Sequence, residues 1–504
     1  MDERRPLLSS STSQGNPRLI RGYSVSGDAD VESSQDTSVN SSILSTIQSY
    51  TSCPAAVFLT VNATLGAGLL NMPFAFKEGG GILPSLIMQI LLLLLAMGGL
   101  LILTYCTNIA KVDSFQALVE YYCGSRAKSW ASLAIFLYSF GCCLTFMIII
   151  GDQIDRILAS TYGSDFCHYW YMNRSFTMTA ISVAFILPLS FSSSISFLKY
   201  PSYFGVVVMT YVLLLAFFEW QHHDKFRSVE HDLSSKAFAR HPLGNMLFLP
   251  QSPHSIFHAL KHSVSSHYME VVRVVPAICF AYQCHLSWIP TLDGMRNKSL
   301  SSISLIMTIV SSFLICFAAY TFISVFGLLT FGESIASDLM VNYDARKAGV
   351  LVAIVVIAFK TVTTYPVILF CARTAIDDAL VKIFKIESPQ HKEIYRRVLI
   401  VLLWFLSTLV FAIYVPDISS TINLVGGLAI LFIFFFPGVC LISATEVQRD
   451  CLSSCSFIFL TAIGVFYVLI GAFIFGVTLT QVIMKDFIEA SLKAETISLC
   501  MPLP

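Results

Sequence analysis

Two stretches of this sequence place polar and helix-breaking residues in the middle of long apolar runs. The first holds Asn62, Thr64, Gly66, Ala67, Gly68, Asn71 and Pro73. The second is bracketed by Pro276 and Pro290 and contains Phe280, Tyr282, Gln283 and His285. Paired glycines and a proline make a poor continuous helix. In hydrocarbon the backbone groups that a break releases must be satisfied, so a break belongs where it is buried or lines a cavity. The start of a half helix offers free N–H groups and a positive dipole end, which suit a carboxylate. Freed carbonyls suit an ammonium or a small hard cation. A zwitterionic amino acid meets both. The competing reading is an ordinary packed kink, since Gly and Pro are frequent in membrane helices. Either break alone fits both readings, but matching positions in two halves of a chain point to a site. Its walls would be the backbone from Thr64 to Asn71, facing Phe280, Tyr282 and Gln283. Tyr138, in another apolar run, either offers its hydroxyl to a substrate carboxylate or simply packs.

The elements that must position these residues are membrane helices. The chain has 504 residues, 55% of them hydrophobic and 12% charged, and a mean hydropathy of +0.72. Soluble domains carry about a quarter charged residues, so the composition makes lipid the solvent. Apolar runs near the ~20 residues that cross a bilayer fall at 54–76, 82–107, 131–151, 175–192, 200–220, 269–290, 301–328, 348–372, 396–415, 418–442 and 456–484. They predict an all-α multi-pass membrane protein of eleven transmembrane helices, five and five related as an inverted repeat, plus one. Residues 1–50 read as a disordered tail with no cleavable leader. Residues 51–484 read as the transporter domain, with a long loop at 221–268, and 485–504 as a tail. The bias of Lys and Arg among the loops puts the N-tail in the cytosol and the C-terminus outside or in a lumen. A net charge of zero gives no reason to expect a nucleic-acid partner. No nucleotide-binding motif is present, which excludes an ATP-driven pump as a single chain. Most cysteines sit in apolar runs as small hydrophobes. Only Cys167 and Cys500 fall on the far side, and no disulfide is expected between them.

The stretch 62–76 resembles the first helix of the sodium-coupled neutral amino acid transporters of solute carrier family 38, a branch of the amino acid/auxin permease superfamily. The likeness continues through 148–153, 185–190, 276–285, 416–418, 425–429, 435–438 and 471–476, and covers nearly all of 54–484. It leans toward the lysosomal branch that carries glutamine and asparagine. The resemblance implies a LeuT/APC-like fold, a cytosolic N-tail, alternating access and sodium or a proton as co-substrate, with no other cofactor. It also implies a sodium ion held between Asn62 and a helix-eight threonine, here Thr364, with Thr363 as the alternative register beside Pro366. A membrane threonine otherwise bonds back to the carbonyl four residues earlier. The sequence departs from the family at Lys360, one turn before Thr364 and on the same helix face. A bare ammonium at mid-bilayer costs roughly 2.5–3.5 kcal/mol on insertion scales. It stands in or near the cation site, replacing sodium or carrying a proton, or it reaches water or a carboxylate elsewhere.

Fainter signals surround this frame. Glu3, Leu7 and Leu8 form an acidic dileucine pattern that cytosolic adaptor complexes read, which agrees with a lysosomal rather than a plasma-membrane home. Asn173 begins a glycosylation sequon close to the fourth helix. Asp152 and Asp155 lie near Arg156 as a local charge cluster or a proton-coupling group. Nine of the eleven histidines fall on the expected non-cytosolic side, most of them in 221–268. They make either an acid-responsive loop or a solvated one. The reading that joins these observations is a secondary transporter of neutral amino acids, glutamine and asparagine first, embedded in the bilayer and not an enzyme. Its rivals are an amino-acid-sensing receptor of transporter shape and, behind that, a channel.

Overall fold

In the computed structural model, the long apolar runs wind into helices stacked side by side. It describes residues 52–163, 169–191, 199–233, 271–296, 301–383, 393–414 and 418–492, and among them there is no strand. The dileucine residues Glu3, Leu7 and Leu8, Cys167, Cys500 and most of the histidine-rich loop lie outside the described residues.

Cys53–Thr64 (α1) and Ala67–Glu78 (α2) meet at a 57° bend. Ile82–Ala110 (α3) follows, and then Phe115–Tyr162 (α4), which starts well before the expected 131. Its early turns are joined to the rest through Gly124 at φ 82°, a left-handed value that favours glycine. Arg174–Ser190 (α5) is short and apolar. Lys199–Leu233 (α6) carries the fifth run past its expected end at 220. Val275–Ala281 (α7) and His285–Arg296 (α8) form a second interrupted pair. Ser302–Phe331 (α9), Ala348–Ile383 (α10), Glu393–Tyr414 (α11), Ile418–Val447 (α12) and Ser454–Leu492 (α13) complete the order. Among the described residues eight helices are long and apolar enough to cross a membrane, and the bent pair α1–α2 makes nine.

The centre of the bundle is built around the interrupted helices: α1 and α2 pack on α9, and α7 packs between α12 and α2. α4 supports α10 and α12, while α13 lies outside against α12. Proline sets the remaining irregularities. Pro437 has no N–H for the carbonyl of Ile433, and the helix loosens into a π turn at Leu431–Phe435. α3 closes on that freed carbonyl through Gly99, where a Cβ would lie 2.3 Å from the Ile433 oxygen.

At one end of the bundle, the connection between α9 and α10 is stitched to its neighbours. The Lys77 ammonium donates to the Glu333 carbonyl at 2.6 Å, and the Asn71 amide to the Ser337 carbonyl at 2.8 Å, both from α2. From α4, the Gln153 amide donates to Asp338 Oδ2 at 2.8 Å, and Arg156 to the Tyr343 carbonyl at 2.5 Å. Burial pushes the Asp338 carboxyl above the usual carboxylate range, against the pull of the Met340 amide, Arg156 and Gln153. Arg156 thus faces Asp338 and the Tyr343 carbonyl and, among the described residues, is not the ion-pair partner of Asp152 or Asp155. That role falls to Arg174 at the start of α5, which bridges Asp152 and Asp155 at 2.7 Å each. The sequence brings Arg156 within one helical turn of both acids, but the reach of Arg174 from the next helix decides the pairing.

Removing Arg174 leaves two carboxylates in a shielded place with no cation between them. Arg174→Ala is expected to destabilise the fold by about 3 kcal/mol, the low end for losing one partner of a shielded ion pair. Thermal unfolding of detergent-purified protein checks it, and Asp152→Asn should lose less.

Candidate functional site

The first break lies at Leu65 and Gly66. Leu65 leaves the helical region at φ −72°, ψ 82°, and Gly66 follows at φ −122°, ψ −141°. α2 restarts at Ala67, so its first amides have no carbonyl one turn earlier to bond. On the other side of the break, the carbonyls of Thr64 and Leu65 have left the helical ladder. The second break spans Tyr282 to Cys284, after which α8 begins at His285. Here the carbonyl of Ala281 is among those released.

These breaks touch. A Cβ on Gly68 would lie 3.1 Å from both the Cα and the Cβ of Ala281 and 3.6 Å from the Phe280 ring. A side chain there would be tighter than an ordinary contact, so glycine lets the start of α2 come this close to the end of α7. One side chain then serves both breaks. The buried hydroxyl of Tyr320, in α9, lies 2.7 Å from the Thr64 carbonyl and 2.9 Å from the Ala281 carbonyl and shares its single proton between them. The Leu65 carbonyl accepts instead from the Lys360 ammonium at 2.5 Å. The two carbonyls at the edge of the first break, Thr64 and Leu65, thus each have a donor from another helix, as a hydrocarbon interior favours.

A second polar group backs the other break. His285 Nε2 lies 3.1 Å from the Ala96 carbonyl, which can only accept, so that nitrogen carries the ring proton. Nδ1 of the neutral ring is then an acceptor, and the Gln283 amide stands 3.2 Å from it. The pair is satisfied when the amide nitrogen of Gln283 donates to Nδ1. Its oxygen is then left as a buried acceptor at the break, in the place of an atom with no hydrogen-bond partner in the fold. Tyr282 turns the other way. Its ring stacks on Phe313 at 5.9 Å, and its hydroxyl accepts from the Gln89 amide at 2.9 Å.

The remaining expected residues fall as follows. Thr64 bonds back to the Thr60 carbonyl at 2.7 Å. Asn71 is spent on Ser337, nearer the stitched end. Tyr138 packs edge-on against Phe432 at 5.6 Å. Thr363 and Thr364 both bond back to the Lys360 carbonyl, at 2.9 and 2.8 Å. Asn62 keeps a buried side-chain oxygen without a hydrogen-bond partner. Asn173 is exposed and caps α5 by accepting from the Ser175 amide at 3.2 Å. Tyr320, Gln89 and Gly205 were missed. Tyr320 and Gln89 were visible as lone polar residues deep in apolar runs, but nothing in their spacing said which carbonyl they would meet.

Residues 49–484 match the family model described as transmembrane amino acid transporter protein. The chain belongs to that family. Among curated relatives it is 37% identical to sodium-coupled neutral amino acid transporter 7 of Danio rerio over 445 residues, 87% of this chain and 89% of that one. It is 34% identical to the Homo sapiens protein of the same name over 442 residues, with the same coverage. The fold is shared with the crystal structure of MhsT in complex with L-phenylalanine, at a TM-score of 0.50 and 14% identity, over 86% of this chain and 99% of that one. As a member of a transporter family, this protein is not an enzyme.

Tyr320→Phe keeps the ring and deletes the shared hydroxyl. It should cost about 1–3 kcal/mol for the buried carbonyls left unbonded. The loss should appear as a lowered melting temperature, with Tyr282→Phe affected less because it strands one donor, Gln89 Nε2, and leaves both break carbonyls bonded.

Proposed function

We propose that this transporter is a secondary carrier of small neutral amino acids, glutamine and asparagine first, moved by alternating access and coupled to a cation. The observation that carries this reading is the contact of the two breaks at Gly68 and Ala281. A zwitterion placed there meets the opening amides of α2, those of Ala67 and Gly68, with its carboxylate. It meets the Gln283 oxygen and the break carbonyls with its ammonium. Phe280 and Tyr138 complete the apolar side. The relatives' names, sodium-coupled and neutral, agree with the substrate class and with sodium as the co-substrate. A proton is the alternative. Asn62, Thr363 and Thr364 are the residues from which a sodium set would be drawn.

The topology proposed with it has eleven crossings. To the eight helices and the bent first pair it adds the short α5 and the broken pair α7–α8. The first five and the next five then form the inverted repeat, with one broken crossing at the head of each. Residues 1–50 are the cytosolic tail, and its dileucine would take the protein to the lysosome through adaptor complexes. The direction proposed is export from the lysosomal lumen.

Purified full-length protein in liposomes should carry labelled glutamine, and unlabelled asparagine should compete. A folded, monodisperse sample that moves no amino acid under any ion gradient would leave the sensor reading instead. Gly68→Val drives a branched side chain into Ala281. It should cut flux at least about tenfold, the equivalent of 1.4 kcal/mol, while the protein still elutes as a single folded species.

A further inference from the structure

Lys360 is the most unusual ionisable group in the membrane part of this protein. It sits in the middle of α10 and is 7% exposed. No carboxylate pairs with it among the described residues; its recorded partner is a main-chain oxygen, the Leu65 carbonyl at 2.5 Å. That oxygen exists as a free acceptor only because α1 stops there. An ammonium has three donors, so two remain beyond the bond to Leu65. Close by is an acceptor in the opposite condition: Asn62 Oδ1 is buried and has no hydrogen-bond partner. The common wall is Gly205 of α6. A Cβ built on it would lie 2.4 Å from Asn62 Oδ1 and 3.2 Å from Lys360 Cε, so a larger residue would displace one of them. The space belongs to the amide oxygen and the lysine stem together.

We infer that Lys360 is a tethered resident cation: its ammonium occupies, on the Leu65 carbonyl beside Asn62, the place at the first break where a free sodium ion would otherwise stand. The chemistry supports the exchange. A sodium ion and a primary ammonium each carry one positive charge and seek several oxygen acceptors at short range. A break carbonyl and a side-chain amide oxygen serve either. Thr363 and Thr364 fit the same account, since their hydroxyl protons are turned back to the Lys360 carbonyl. The insertion cost of a mid-bilayer lysine is offset because the charge meets the partial negative charge that the broken helix exposes at its C-terminal end. The inference rests on the transport reading for its flux test, but the occupancy itself does not. The charge is tethered, so this place needs no sodium, which leaves the proton as the coupling ion of the two proposed above and sets this chain apart from the sodium-coupled names of its relatives.

The test uses the full-length protein, wild type and Lys360→Ser, in liposomes with labelled glutamine and with sodium replaced by choline on both sides. The same two proteins are melted in sodium chloride and in choline chloride. Wild type is expected to carry glutamine equally, within about twofold, in both salts and to melt at the same temperature in both. Lys360→Ser is expected to lose about tenfold or more of its flux in choline, to recover in sodium, and to be stabilised by sodium. Wild-type flux that collapses in choline, a wild-type melting point that rises with sodium, or a folded Lys360→Ser that responds to sodium as wild type does, each overturns the inference. So does a folded Lys360→Ser that is inactive in both salts, the result expected if the ammonium held the substrate carboxylate instead. If the variant does not fold, the two wild-type measurements decide alone. If wild type is folded but moves no amino acid in either salt, the transport reading fails, while the melting comparison still judges the lysine.

Discussion

Everything distinctive in this structure follows from one constraint: a carbonyl released from a helix inside hydrocarbon has to find another donor. The chain releases carbonyls at two places, and donors arrive from helices far away in sequence. Tyr320 crosses from α9 to hold Thr64 and Ala281 at once, and Lys360 crosses from α10 to hold Leu65. These bonds make the breaks a joint between four helices rather than a defect in one. They also fix which atoms stay uncommitted. The opening amides of α2 and the acceptor of Gln283 are the groups left for a zwitterion, while the Asn62 oxygen is left to the cation beside it.

The same constraint explains why α2 is held differently at its two ends. At the break it touches α7 through Gly68, and the partners there are buried. At the far end Asn71 and Lys77 bond to main-chain oxygens of the connection between α9 and α10, and α4 steadies that connection through Gln153 and Arg156. Of these bonds the Lys77 one is exposed, and it exchanges with water at a net cost of roughly 0.5–1.5 kcal/mol. Bonds sealed inside the bundle have no water to exchange with, so breaking them costs more. α2 is therefore firm at the break and at the buried Asn71, and soft only at the exposed Lys77 bond.

How far the sequence foretold this varied with the kind of interaction. Local backbone chemistry was legible: Gly66, Gly68 and Pro276 marked both breaks, and the apolar runs marked the helices, because hydrocarbon leaves few options for either. Partner choice across the bundle was not. The spacing put Lys360 on the face of the expected cation site or near a carboxylate elsewhere, but did not say that its partner would be the Leu65 carbonyl. Asp152 and Asp155 were read beside Arg156, their neighbour in sequence, whereas Arg174 of the next helix pairs with them. Tyr282 was read as a site wall, yet it stacks on Phe313 and bonds Gln89, leaving Tyr320 to bridge the breaks. In each case the sequence specifies a group that needs a partner, and the packing of whole helices specifies which one.

Helix ends read from the sequence missed for a related reason. Hydropathy reports where lipid stops, not where the helix does. α4 begins at Phe115 because Gly124 lets nine residues wind as a separate segment before the apolar run, and α6 continues into polar sequence as far as Leu233. The breaks obey the opposite logic. There the apolar character continues while the helix does not, so composition alone would draw α1 and α2 as one rod. What separates them is the φ/ψ excursion of Leu65 and Gly66, made tolerable by the donors of two other helices. A break in a membrane helix is thus a property of its neighbours as much as of its own glycines. A substitution at Tyr320 or Lys360 acts on α1 without touching a residue of it.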